Sequence, residues 1–114
     1  MKHTLKTCLH DIVRCISEIE DFTRSCTTFE QFEHNILVKK AVERNITIIG
    51  EAVKRILGFD AATPITNARL IIAMRNIIIH DYENIETEVL YAAVVKHLPL
   101  LKQEATALLL AYSS

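Results

Sequence analysis

Three polar side chains, Arg75, Asn76 and His80, stand among the apolar residues that run from Leu70 to Ile79 and on to an Asp-Tyr end. From Leu70 to Tyr82 the residues run Leu-Ile-Ile-Ala-Met-Arg75-Asn76-Ile-Ile-Ile-His80-Asp81-Tyr82. An arginine and an amide among isoleucines cost stability unless they are paired or solvated. Histidine titrates near ~6.5, so it gives or takes a proton at neutral pH. Arginine carries a permanent planar fork that fits phosphate oxygens. Together they are competent to break an RNA phosphodiester without metal. The imidazole would assist 2′-hydroxyl attack or protonate the leaving oxygen, while the guanidinium would stabilise the pentacoordinate transition state. A plainer account fits the same spacing: a helix-terminal histidine on the last carbonyls and an arginine in an intrahelical pair.

The helix that carries these groups sets their directions. The step from Arg75 to His80 is ~500° of turn, leaving them about 140° apart, whereas Asn76 and His80 stack on one face. One helix therefore spreads them over a wide arc. The segment is apolar almost all round, although a surface helix of a small bundle needs an apolar face over only part of its circumference. A partner subunit would cover the second side, and two such helices across a twofold axis would bring two Arg/His sets around one cleft.

The other elements read as helices too. Leu5, Leu9, Ile12, Ile16 and Ile19 recur at helical spacing from about Thr4 to Phe22, with Cys8 and Cys15 beside the stripe as small hydrophobes. Thr27 or Thr28 can cap a short second helix before Phe29 and Phe32. A third spans roughly Asn35 to Leu57, with Val42, Ile46, Ile49, Val53 and Ile56 on one face. Gly58 reads as its stop, and the stretch around Pro64 reads as a loop. The fourth starts near Asn67, with Thr66 as a candidate cap, and runs to about His80. The last starts near Glu86 or Thr87, and Pro99 should kink or split it. The expected fold class is all-α, a single domain over 1–114 built as a four- or five-helix bundle.

Composition narrows the function. In 114 residues there are 2 glycines and 2 prolines, against usual shares of ~7% and ~5%, too few for the turns of a sandwich or barrel. Half the residues are apolar and 24% charged, which excludes a disordered chain. The net charge is −1, so any nucleic acid must be met by a local site rather than a global basic field. Cys8, Cys15 and Cys26 form no CxxC pair, and there is no secretory signal or membrane-length apolar run; the expectation is a cytoplasmic, reduced protein without a membrane partner. His3 and His10 lie seven apart with no ligand to complete a metal set, and His34 and His97 stand alone, so no metal and no cofactor is expected. Lys39, Lys40, Arg44, Lys54 and Arg55 could contact phosphate, although a basic helix face is usually just solvated. Gly50 inside a helix costs ~1 kcal/mol relative to alanine, which suggests close approach of another helix. Glu51 can pair with Arg55 four residues on, or steer Arg75 from behind.

The stretch Arg75-Asn76-Ile-Ile-Ile-His80-Asp81-Tyr82 resembles the Arg-x4-His-x-Tyr motif of HepT-like toxins in the HEPN superfamily. Ala41-Val-Glu-Arg44 leading to Ile49-Gly50-Glu51-Ala52 is similar to that family's upstream helix, and Ile85, Leu90 and Leu98-Pro99-Leu100 fit downstream. The resemblance covers essentially the whole chain. It implies a HEPN-type up-and-down helical bundle, homodimeric, acting as a metal-independent endoribonuclease on RNA, the toxin of a type VII-like toxin–antitoxin pair. By position it implies that Arg75 and His80 are catalytic, with Asn76 the supporting polar residue. It further implies that Tyr82 accepts AMP from a cognate MNT-type nucleotidyltransferase antitoxin, an anionic block beside His80. The alternative from another class is a non-catalytic helical module that docks the nucleotidyltransferase through its apolar fourth helix.

Overall fold

The computed structural model describes residues 4–113, without the side chains of Tyr82 and Ser113; His3 therefore lies outside the described residues. Helix α1 (Leu5–Thr23) opens on Thr4, whose hydroxyl accepts from the Thr7 amide, and the expected stripe of Leu9, Ile12, Ile16 and Ile19 is buried together with Cys8 and Cys15. Helix α2 (Phe29–Glu33) starts with a reciprocal capping box between Thr28 and Gln31. Helix α3 (Ile36–Phe59) is capped by Asn35 and buries Val42, Ile46, Ile49, Val53 and Ile56. Helix α4 is Ala68–Asp81, followed by a 3-10 turn at Tyr82–Asn84. Helix α5 (Thr87–Ala92), a π-helical turn (Ala93–His97) and α6 (Leu98–Ser113) continue one another. Among the described residues there is no strand, and no helix is long and apolar enough to cross a membrane.

Three local expectations are corrected. Gly58 does not stop α3: no described residue has positive φ, and the chain leaves the helix at Asp60 with φ −154 and ψ 103. A glycine stop needs the left-handed conformation, which this exit does not use. Thr66 does not cap α4. Its hydroxyl donates to Glu104 Oε2 at 2.6 Å and its amide to both Glu104 oxygens at 3.1 and 3.2 Å, tying the loop before α4 to α6. Pro99 does not split the last helix in two, and the distortion at it is a π-helical turn over Ala93–His97 just before it. The π turn before it lets the Leu98 amide reach back five residues to Ala93 O, and that wider turn accommodates the missing donor and the ring.

Helix α3 is the spine of the bundle, with α1 packed on one side and α4 on the other, while α6 lies on α1 and the short α2 and α5 pack against each other and α3. At 1.5 Å per residue its 24 residues are ~36 Å long, nearly the full 42 Å of the molecule. The exposed surface is 6737 Å², close to the ~6,300 Å² expected for a folded chain of this mass. A buried amide ties the two longest helices: Asn45 of α3, 1% exposed, donates to Cys15 O at 3.1 Å and Glu18 Oε1 at 2.9 Å on α1.

Candidate active site

Helix α4 lies on the bundle through Ala68, Ile71, Met74 and Ile78, which are buried. Its other side is uncovered. Leu70 and Ile77 are each 41% exposed, Ala73 between them is exposed, and Asn76 and His80 are exposed on the same flank. The two-sided apolar character of the sequence is thus real, and one side is left exposed among the described residues.

Arg75 sits at the seam with α3, and the seam is tight because of one missing side chain. A Cβ on Gly50 would lie 2.4 Å from Arg75 Cβ, 2.9 Å from Arg75 Cγ and 3.4 Å from Ile71 O. The close helix approach expected from a glycine inside α3 is found here, directly under the arginine. The neighbouring Glu51 then reaches the guanidinium. Its Oε2 is 2.7 Å from Arg75 Nη2, while its Oε1 lies 3.5 Å from Arg55 Nη2. The two pairings weighed for Glu51 occur together. Among the described residues Glu51 Oε2 and Arg75 Nε have no hydrogen-bond partner, so the short contact is an ion pair whose N–H is not aimed along a hydrogen bond. On the opposite edge, Arg75 Nη1 donates to Asn76 Oδ1 at 2.8 Å. The guanidinium, its side chain 18% exposed, is held from two sides and drawn round the helix towards the flank that carries His80.

His80 occupies the last turn of α4 and is exposed, and it makes no side-chain hydrogen bond or ion pair among the described residues. It is therefore not the helix-end cap of the plainer account. The next residues pin the exit: Asn84 Nδ2 donates to both Asp81 carboxylate oxygens at 2.8 and 2.9 Å. This clamp holds the 3-10 turn on which Tyr82 lies, and its signal was the Asp-x-x-Asn spacing. The Tyr82 side chain is outside the described residues.

Cys8, Cys15 and His34 have other environments. Burial pushes the Cys8 and Cys15 thiols up from their ordinary pKa, which disfavours the reactive thiolate. The His34 ring nitrogen Nδ1 donates to Glu30 O at 2.9 Å. Among the described residues no three His, Cys, Asp or Glu side chains gather as a metal cluster.

The family described as Ribonuclease HepT-like matches residues 12–108. The chain belongs to the HepT-like ribonuclease family. It is 38% identical over 103 residues to a Thermococcus cleftensis protein named "Probable ribonuclease HepT", covering 90% of this chain and 93% of that one. Two Methanocaldococcus jannaschii proteins named as candidate RNases are 31% identical over 104 residues (90% of this chain, 94% of the relative) and 30% identical over 104 residues (90% and 85%). No solved structure gives a significant match. Membership of this family and the all-α bundle agree with the expectations drawn from the Arg75–Tyr82 stretch.

Proposed function

We propose that this HepT-like chain is a metal-independent endoribonuclease toxin whose active cleft forms between two copies, with Arg75 and His80 as catalytic residues and Asn76 and Glu51 as positioning residues. The observation that carries the reading is the guanidinium of Arg75, clamped by Glu51 at 2.7 Å and Asn76 at 2.8 Å on the helix whose last turn carries an exposed His80 with no side-chain partner among the described residues. A preorganised cation stabilises charge that develops in the transition state without reorganising at the moment of reaction. As the 2′-oxygen bonds to phosphorus and the bond to the 5′-oxygen breaks, His80 takes the proton from the 2′-hydroxyl or supplies one to the leaving oxygen. Arg75 then faces the negative charge gathered on the equatorial oxygens.

The uncovered stripe Leu70, Ala73 and Ile77 supports the two-copy cleft. An isologous contact over this stripe buries it and sets two copies of Asn76 and His80 across one groove. The resemblance supplies the rest of the proposal: Tyr82, two residues beyond His80, accepts AMP from an MNT-type nucleotidyltransferase antitoxin. The added phosphate places negative charge at the groove and repels RNA.

The test is cleavage of a mixed RNA pool by purified wild type and His80→Ala, with and without EDTA. Cleavage by the wild type alone, undiminished by chelator, is expected, with both proteins equally folded and dimeric. Equal cleavage by His80→Ala contradicts the assignment. A wild type that binds the nucleotidyltransferase but cuts nothing favours the docking module instead.

A further inference from the structure

Between the start of α3 and the chain that follows the 3-10 turn lies a cavity of about 290 Å³, at the small end of ligand pockets. Its walls include Ile36, Ile85 and Leu90 on the apolar side and Lys39, Lys40 and Glu43 on the polar side. Its position relative to the site follows from the Gly50–Arg75 crossing. Helices α3 and α4 run antiparallel, so seven residues back from Gly50 and seven on from Arg75 reach the same level, ~10 Å along the bundle. That level holds Glu43 on α3 and Tyr82 just beyond His80, so the cavity opens where the chain leaves the candidate site.

Glu43 gives the cavity its chemistry. Its side chain is only 14% exposed, and its Oε1 is ion-paired with Lys40 Nζ at 3.7 Å, which leaves the carboxylate in ion-pair contact without a close hydrogen bond from that lysine. A carboxylate so placed is acceptor-only, with two oxygens side by side. Among RNA bases only guanine offers two adjacent N–H donors, N1–H and N2–H, on its pairing edge. Adenine and cytosine set an acceptor beside their donor, and uracil flanks its donor with two carbonyls, so each would press a lone pair on the carboxylate. Apolar walls suit the faces of a flat base, and two ammonium groups suit the phosphate attached to it.

We infer that this cavity is a nucleotide subsite that selects guanine next to the cleaved bond: Glu43 accepts from guanine N1–H and N2–H, the isoleucines and Leu90 enclose the base, and Lys39 and Lys40 hold its phosphate. The inference rests on the ribonuclease reading and adds a sequence preference to it.

The test compares oligoribonucleotides that carry one guanine, adenine, cytosine or uracil in turn at each position, cut by wild type, Glu43→Gln and Lys39→Ala. The wild type should cut beside guanine at least about fivefold faster in kcat/KM, the lower bound for a bidentate base contact. Glu43→Gln, of the same shape, should bring the four bases to near parity. Lys39→Ala should raise KM and keep the guanine preference, because a phosphate contact carries no base information. Equal cutting at all four bases by the wild type, or a guanine preference that survives in Glu43→Gln, overturns the inference. A separate readout needs no cleavage: titrating 5′-GMP and 5′-AMP into His80→Ala and following the backbone amides of 36–43 and 85–90. Tighter binding of 5′-GMP, lost on adding Glu43→Gln, supports the subsite, and equal or absent binding overturns it. Should the wild type cut no RNA, the ribonuclease reading falls and this titration alone decides the subsite.

Discussion

Replacing Gly50 by alanine puts the central geometry under direct strain. The new Cβ would lie 2.4 Å from Arg75 Cβ, where unstrained carbons sit ~3.5–4.0 Å apart. Arg75 Cβ is fixed to the α4 backbone, so rotation of the side chain cannot relieve the contact and α4 must shift by ~1 Å. Overpacking of this kind costs ~1–3 kcal/mol, and alanine returns ~1 kcal/mol of helix propensity. The net is a loss of up to ~2 kcal/mol, a melting temperature lower by up to ~8 °C at ~4 °C per kcal/mol. Activity should suffer more, because a ~1 Å misplacement of a catalytic group costs about a hundredfold. Gly58 in the same helix is the internal control. Nothing lies within 4 Å of its added Cβ, and its φ is not positive. Gly58→Ala should therefore gain ~0.5–1 kcal/mol and leave cleavage unchanged. Thermal unfolding by circular dichroism and RNA cleavage by both variants make the comparison. If Gly50→Ala is stabilised like Gly58→Ala and keeps full activity, the argument from the α3–α4 seam is wrong.

Three further outcomes follow from the same contacts. Glu51→Gln should lower kcat about ten- to a hundredfold with little change in KM or melting temperature, since it frees Arg75 without removing it; an unchanged kcat would leave Glu51 a plain ion-pair partner. Asn45→Ala removes both hydrogen bonds that tie α3 to α1 and should cost ~1–3 kcal/mol in denaturant unfolding while cleavage per folded molecule stays constant. Burial raises the Cys8 and Cys15 thiol pKa, so less thiolate forms at neutral pH. A disulfide reagent should meet half-buried Cys26 first and the other two only on unfolding, and rapid reaction of all three would contradict the buried stripe.

The fold was legible because hydrophobic periodicity and caps are local signals. The α1 stripe, the Thr28 capping box and the Asn35 start of α3 needed no tertiary knowledge. Thr66 misled because a distant contact overrode local habit, and Gly58 because its φ is not positive and the helix runs on to Phe59. Thr66 was captured by Glu104, thirty-eight residues away, and Pro99 was accommodated by a π turn that no residue type announces. For the site, Arg75, Asn76 and His80 were visible as polar residues in apolar company, and Gly50 as an odd glycine in a helix. The clamping of Arg75 between Glu51 and Asn76 was not, because spacing fixes where a side chain leaves the helix and not where a long arginine ends. Glu43 was missed, being an ordinary surface residue until α3 and the chain after the 3-10 turn are set side by side, and the Asp81–Asn84 clamp was missed although its Asp-x-x-Asn spacing is local.

The shared cleft itself is tested most directly by complementation. Arg75→Ala and His80→Ala are purified separately, mixed, unfolded and refolded together so that mixed dimers form, and assayed on RNA. Mixed dimers keep one guanidinium and one imidazole, contributed by different chains, so measurable cleavage should return although each parent is inactive. A mixture that contains mixed dimers and stays as inactive as its parents would contradict a site built by two copies.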